Sequence, residues 1–176
     1  MNNQQTIRIS GIVKQSAVDG PGLRLTVFTQ GCPHRCPGCQ NPETNDFEGG
    51  QDIPATDILN ELDKNPLLQG ITLSGGEPLA RPQQLLPITQ GAKARGKDIV
   101  CFTGYTLEEL LPKTREDKDL NNLLTQIDLL IDGRYDATQR DLTLRFRGSR
   151  NQRVLNLPAS LAKGEAVLAE GYGQDF

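Results

Sequence analysis

The chain has 176 residues, a formal net charge of −3, 36% hydrophobic residues and 23% charged residues. This length fits one domain, and folding at this size buries roughly 70% of the surface of the unfolded chain, so a core forms without disulfides. The charge provides no basic field for nucleic acid or an anionic membrane, and no segment reaches the ~18 apolar residues of a membrane span. Because the first residues lack the apolar run of a signal peptide, we expect a cytoplasmic protein without nucleic-acid or membrane partners.

Two strands and a helix are predicted in the first part of the chain. Apolar and polar residues roughly alternate in segments 6–14 and 23–30, which predicts strands, and the Gly- and Pro-rich segment 18–22 predicts a turn between them. A segment with three cysteines follows the second strand directly. The apolar spacing of segment 53–64 predicts a helix.

Strands and helices alternate in the rest of the chain up to residue 132. The pattern predicts strands at 70–74, 98–103 and 127–132, helices at 83–95, 106–111 and 119–126, and one more strand at 142–146. Such alternation indicates βαβ units with a parallel sheet. Since a closed eight-stranded barrel typically takes about 250 residues, we expect an α/β fold. We expect this fold to be an incomplete TIM-like barrel of about five to six parallel strands with flanking helices, in a single domain spanning 1–176.

Four unusual loops each follow a predicted strand. They are the cysteine loop within the stretch 28–44, SGGEP at 74–78, TGY at 103–105 and DGR at 132–134. Parallel α/β folds build their active sites at the carboxyl edge of the sheet. We therefore expect these loops, although distant in sequence, to converge on one surface.

The cysteine loop is typical of a metal site. Cys32, Cys36 and Cys39 have the spacing C-x3-C-x2-C, and the one histidine of the chain, His34, lies among them. In a reducing compartment, clustered cysteines indicate metal binding before disulfides. We expect His34 to be an exposed loop residue, and Cys101, in the middle of a predicted strand, to fill the core.

Two metal centres are compatible with this loop. Structural zinc takes four ligands, usually from two separated pairs, and here the set would be the three cysteines with His34. A [4Fe–4S] cluster ordinarily takes four thiolates. Three cysteines would leave one iron open to a substrate or cofactor, unless His34 or Cys101 supplies the fourth ligand. We favour the cluster over zinc.

The motifs resemble those of a known superfamily. The three-cysteine spacing with a later GGEP is similar to the radical S-adenosylmethionine (SAM) enzymes, and the stretch VDGPGLRLTVFTQGCPHRCPGCQNPET resembles the glycyl-radical activating enzymes. Further motifs narrow the resemblance to the activating proteins of anaerobic (class III) ribonucleoside-triphosphate reductase; these are CPGC, TGYTLEEL, DLLIDGRYD and RGSRNQRV. The last motif separates them from the activases of pyruvate formate-lyase. The matched motifs run from about residue 7 to 155.

The resemblance implies a reaction. A reduced [4Fe–4S] cluster passes one electron to SAM bound at the open iron, which yields methionine and a 5′-deoxyadenosyl radical. That radical takes a hydrogen from one glycine of the large subunit of the anaerobic reductase. A flavodoxin- or thioredoxin-like protein is the expected electron donor. The alternatives are an activase of another glycyl-radical protein, a radical SAM enzyme with a small-molecule substrate, and a non-catalytic iron–sulfur electron carrier.

The resemblance also implies site residues. Cys32, Cys36 and Cys39 would bind the cluster, and SAM would contact nine residues at the strand ends: Gly38, Gln40, Asn41, Gly75, Gly76, Glu77, Thr103, Asp132 and Arg134. Gly38 and Gln40 would lie under the adenine and Asn41 at the ribose. Thr103 would reach the same ligand.

The expected methionine end of SAM has its own partners. Gly75 and Gly76 would let the backbone approach closely, and Glu77 would accept a charge-assisted hydrogen bond from the α-ammonium. Arg134 would face the carboxylate, with Asp132 orienting it or holding a cation. A basic segment with Arg147, Arg150 and Arg153 follows; it either docks the partner protein or is solvated.

Overall fold

The computed structural model describes residues 5–173. Seven strands and five α-helices lie in these residues. The strands are β1 (Thr6–Ser16), β2 (Arg24–Thr29), β3 (Gln51–Pro54), β4 (Gly70–Gly75), β5 (Asp98–Phe102), β6 (Leu129–Asp132) and β7 (Arg153–Asn156). The helices are α1 (Ala55–Asp63), α2 (Pro82–Ala94), α3 (Leu107–Lys113), α4 (Lys118–Leu124) and α5 (Leu157–Lys163). The outer bounds of the expected domain, residues 1–4 and 174–176, lie outside the described residues.

All seven strands belong to one mixed sheet with the order β3-β1-β2-β4-β5-β6-β7. The four central strands, β2, β4, β5 and β6, are parallel. The outer strands β1, β3 and β7 pair antiparallel to their neighbours. The α/β class with a parallel centre is therefore confirmed. The expected count of five to six parallel strands is wrong, because three antiparallel strands extend the parallel centre at its two sides.

Three elements were not predicted, and one predicted element is absent. The strands β3 and β7 have four residues each and are held by pairing with β1 and β6, and α5 follows β7 directly. Asn156 begins α5 by accepting a hydrogen bond from the Ala159 amide (3.1 Å). Segment 142–146 forms turns instead of a strand, and Phe146 has a positive φ of 59°.

The sheet has two differently covered faces. Side chains of one face, with Leu73, Cys101 and Leu130 among them, pack with the apolar side chains of the helices in one large core. Since neighbouring strand residues point to opposite faces, Val100 and Ile131 lie on the other face, in a smaller apolar cluster. Part of this second face stays open near the carboxyl ends of the strands, where a cavity forms. No helix within residues 5–173 is long and apolar enough to cross a lipid bilayer.

Candidate active site

A cavity of about 510 Å³ lies at the carboxyl edge of the four parallel strands. All four loops singled out in the sequence contribute to its lining. The lining residues from these loops include Cys32, Cys36, Cys39, Gln40, Asn41, Gly75, Gly76, Thr103, Gly104 and Gly133. The parallel centre of the sheet thus brings together loops that are up to about a hundred residues apart in sequence.

The cysteine loop presents three free, partly buried thiols to this cavity, those of Cys32, Cys36 and Cys39. Its first residues are fixed to a later turn, since the Gly31 amide donates to the Thr44 carbonyl (2.7 Å). Burial raises the pKa of the Cys32 and Cys36 thiols, and the neighbouring Cys39 raises that of Cys36 further. A bound metal would reverse this, because metal ligation requires thiolates.

The cysteines of the loop are a donor set that fits an iron–sulfur cluster. Within residues 5–173, no three His, Cys, Asp or Glu side chains converge on one point suited to a single ion. Cys101 is fully buried in the helix-side core, and burial raises the pKa of its thiol well above the usual value. The three loop cysteines alone therefore present sulfur to the cavity among the described residues, which suits three corners of a cluster.

His34 is not exposed, contrary to the expectation. Only 5% of its side chain is accessible, and its Nε2 lies 2.8 Å from Oε2 of Glu77. Its ring also packs edge-on against Tyr105, with 4.5 Å between ring centroids. The imidazole therefore connects the cysteine loop to Glu77 after β4 and to Tyr105 after β5.

Gly75 and Gly76 bring β4 into backbone contact with β2 and the cysteine loop. Gly75 has a φ of 95°, and a Cβ there would lie 2.6 Å from the Thr29 amide nitrogen. A Cβ on Gly76 would lie 2.4 Å from the Gly31 carbonyl oxygen. Only glycine fits at both positions, and both residues line the cavity.

Glu77 is buried, and its carboxylate accepts four hydrogen bonds from the protein. The donors are the Leu79 and Gly104 amides, the Thr103 hydroxyl and the His34 imidazole, at 2.8 to 3.0 Å. Glu77 is not among the residues that line the 510 Å³ cavity, although Thr103, Gly104 and His34 are. The structure therefore places this side chain behind the cavity wall.

Asp132 and Arg134 do not pair with each other, and each binds another side chain of the protein. Asp132 is buried and accepts hydrogen bonds from the Arg153 guanidinium and from the Leu107 amide at the start of α3. Arg134 forms an ion pair with Glu109 (3.1 Å), with both side chains partly exposed. Neither Asp132 nor Arg134 lines the cavity, and Gly38 does not line it either.

The three arginines of the basic segment have three different environments. Arg150 is exposed and pairs with Asp141 (3.0 Å), and Arg153 pairs with Asp132 and Glu108. Arg147 is only 9% exposed and lines the cavity. A docking or solvated surface is therefore the wrong interpretation for Arg147.

Several lining residues were missed from the sequence. Phe28, Ser74 and Phe102 lie on the face opposite the helix-side core, and strand alternation alone could have indicated them. Val18 and Leu142 also line the cavity while remaining 76% and 78% exposed. No local signal marks these two positions, since their place at the cavity depends on the packing of distant loops.

Comparison with known proteins agrees with the site. A family model described as a 4Fe-4S single cluster domain matches residues 18–155. Relatives from Haemophilus influenzae and Escherichia coli strain K12 are 41% and 40% identical, and the matches cover 77% and 80% of this chain and 88% and 92% of theirs. A relative from Enterobacteria phage T4 is 35% identical over 78% of this chain and 86% of its own.

All three relatives carry the name anaerobic ribonucleoside-triphosphate reductase-activating protein. The crystal structure of QueE from Escherichia coli matches 57% of this chain and 54% of its own, with a TM-score of 0.47 and 18% identity. The sequence matches cover most of each chain, and on them the chain belongs to the family of anaerobic ribonucleoside-triphosphate reductase-activating proteins.

Proposed function

We propose that this chain places a glycyl radical on an anaerobic ribonucleoside-triphosphate reductase, using a [4Fe–4S] cluster and SAM. When bound, the reduced cluster supplies the single electron for the reductive cleavage of SAM. The observation that carries the proposal is the shared cavity: three free cysteines and three further strand-end loops line one space of about 510 Å³. That volume lies in the usual range of about 300–1,000 Å³ for sites of small molecules and cofactors.

The residues of the chain hold and orient the two cofactors. Cys32, Cys36 and Cys39 would hold the cluster through their three thiolates. Gln40 and Asn41, which follow Cys39 directly and line the cavity, would contact the adenosine end of SAM.

Gly75, Gly76 and Thr103 also line the cavity and would hold the methionine end of SAM. The roles of Gly38, Asp132 and Arg134 at SAM stay predictions, since their side chains or backbone lie outside the lining. Glu77 also lies outside the lining, and its expected direct contact with the α-ammonium is not part of this proposal.

The partner reaches SAM through an open side of the fold. The sheet ends on β3 at one edge and β7 at the other, and we interpret it as an incomplete barrel. The exposed apolar side chains of Val18 and Leu142 line the cavity where it opens. A loop carrying a glycine from a large protein fits such an opening, and apolar rim residues suit its side chains.

The electron donor would approach from another side. Pro33, Arg35 and Pro37 lie between the cysteines in the sequence and are exposed, so they form a surface close to the cysteines. A flavodoxin- or thioredoxin-like protein docking on this surface would reduce the cluster without entering the cavity. We place the whole reaction in the cytoplasm, within one domain.

One experiment tests the function. The anaerobically reconstituted and reduced protein is incubated with SAM and an anaerobic ribonucleoside-triphosphate reductase, and electron paramagnetic resonance detects the glycyl radical. Cys36→Ser is the control without an intact cluster. Radical formation on pyruvate formate-lyase instead of the reductase would move the function to the alternative activase. An intact cluster without any SAM cleavage would make the chain an electron carrier.

A further inference from the structure

We infer that Glu77 is a positioning residue that locks the cysteine loop in place through His34. Its carboxylate joins the loop with the cysteines to the loop after β5, and this junction sets the shape of the cavity wall. This inference concerns the same site as the proposed function. It depends on the proposed function only for the experiment that measures SAM binding.

The carboxylate of Glu77 connects three separate parts of the chain. Oε1 accepts from the Leu79 amide (3.0 Å) in its own turn and from the Thr103 hydroxyl (2.8 Å). Oε2 accepts from the Gly104 amide (2.8 Å) and lies 2.8 Å from Nε2 of His34. The Glu77 side chain is 0% exposed and that of His34 is 5% exposed. Both side chains are therefore largely shielded from water.

The hydrogen-bonding capacity of this carboxylate is fully used. A carboxylate only accepts, and its two oxygens offer about four lone-pair sites. Two amides and a hydroxyl donate to three of these sites. Because a carboxylate has no proton to donate, Nε2 of His34 is the fourth donor. The Thr103 hydroxyl is oriented for this role because it also accepts from the Tyr105 amide (3.1 Å). An α-ammonium at Glu77 would have to displace a buried donor, which is unfavourable.

The pocket around the imidazole is shaped for it. The ring of Tyr105 lies edge-on to His34 at 4.5 Å. A Cβ on Gly104 would lie 2.4 Å from Cδ2 and 2.7 Å from Nε2 of His34, so a side chain at residue 104 would expel the ring. The contacts of His34 are thus set by three neighbours at once: Glu77, Gly104 and Tyr105.

Because His34 lies among the cysteines in the sequence, its contact with Glu77 affects the positions of the cysteines. His34 is two residues from Cys32 and two residues from Cys36. Fixing its ring therefore limits where both sulfurs lie relative to the strand ends. A glutamate predicted to bind SAM directly would in this way act on SAM through the cysteine loop.

The test compares Glu77→Gln, His34→Leu and their double variant with His34→Gln, which keeps a donor near the position of Nε2. Glu165→Gln, at an exposed residue beyond α5, is the matched control. The first readout is amide hydrogen exchange of residues 32–39 in the cluster-free chain. The second is the dissociation constant of SAM with the reconstituted protein, measured by calorimetry.

We expect Glu77→Gln and His34→Leu each to raise loop exchange and the SAM dissociation constant by about tenfold, as loss of one charge-assisted hydrogen bond predicts. The double variant should be no worse than either single one, because both changes break the same contact. His34→Gln and Glu165→Gln should stay within about twofold of the parent.

Two results would overturn the inference. If Glu77→Gln weakens SAM binding while His34→Leu matches the parent, Glu77 contacts SAM directly. If loop exchange is unchanged in both variants, the contact does not position the loop. A parent that binds no SAM would contradict the proposed function alone, since loop exchange in the cluster-free chain is independent of SAM. Should Glu77→Gln fail to fold, the contrast between His34→Leu and His34→Gln decides.

Discussion

Arg153 on β7 donates two hydrogen bonds to Asp132 at the end of β6, one of them from Nε to Oδ1 at 2.9 Å and the other from Nη2 to Oδ2 at 2.5 Å. Asp132 is buried and also accepts from the Leu107 amide at the start of α3. Hydrogen bonds to Asp132 and Glu108 raise the pKa of the Arg153 guanidinium above its usual value. This pair therefore ties the last two strands to α3, beside the cavity and outside its lining.

Loss of Arg153 should destabilise the fold strongly. Arg153→Met leaves the buried Asp132 carboxylate without its charged partner, and breaking such a pair typically costs about 3–5 kcal/mol. Because Arg153 is partly exposed, we expect a value near the lower end, about 3 kcal/mol, from urea unfolding of the cluster-free chain. Arg150→Met, at an exposed arginine, is the control and should change stability by less than about 0.5 kcal/mol. Equal effects of the two variants would contradict a structural role for the Asp132 pair.

The cluster should depend on three of the four cysteines. We expect Cys32→Ser, Cys36→Ser and Cys39→Ser each to abolish the intact cluster, because these three cysteines line the cavity and Cys101 does not. Iron and sulfide content after anaerobic reconstitution measures this. Cys101→Ala, in the core, should bind the same amount of iron as the parent. A loss of cluster in that variant, with the fold intact, would argue against the three-ligand assignment.

Arg147 should matter for the ligand of the cavity, in contrast to Arg150. Its guanidinium donates to the Tyr172 carbonyl (2.8 Å), while its buried Nε has no hydrogen-bond partner among the described residues. Burial lowers the pKa of this group. Since an unused buried donor favours a ligand acceptor, Arg147→Met should raise the SAM dissociation constant by about tenfold.

Calorimetric titration with SAM tests this expectation. The control is Arg150→Met, whose side chain is 72% exposed and should leave the dissociation constant unchanged. A parent-like dissociation constant for Arg147→Met, with a lower stability, would show that Arg147 only holds the segment that contains Tyr172.

Local patterns in the sequence were sufficient for most of the fold. The apolar run of segment 98–103 and the breakers around 18–22 encode their structure within a few residues, and both agree with the structure. The start of α3 is also encoded locally, since Thr106 and Glu109 form a capping box there. The strands β3 and β7 could not be predicted from such local patterns, because four residues form a strand only when a partner distant in sequence pairs with them.

For the candidate site, too, local features could be predicted from the sequence and long-range contacts could not. The strand-end loops that line the cavity could be located from the sequence, since each follows a predicted strand. The partners of individual side chains could not. Glu77 meets His34 across 43 residues, and Arg153 meets Asp132 across 21, and nothing local specifies either choice. Whether a charged residue faces a ligand or the protein depends on tertiary packing.

Two exposed apolar side chains lie at the open side of the cavity. Val18 and Leu142 line the cavity and are exposed, although burying an apolar side chain of this size stabilises by about 1.5–3 kcal/mol. If the glycine loop of the reductase covers them, Val18→Ser and Leu142→Ser should each lower the rate of glycyl-radical formation by about tenfold. SAM cleavage without the reductase should keep the parent rate, since neither residue belongs to the proposed SAM contacts. Leu67→Ser, at an exposed leucine away from the cavity, is the control and should match the parent in both assays. Equal losses of SAM cleavage and radical formation would place Val18 and Leu142 in the SAM site and leave the reductase another route to the cavity.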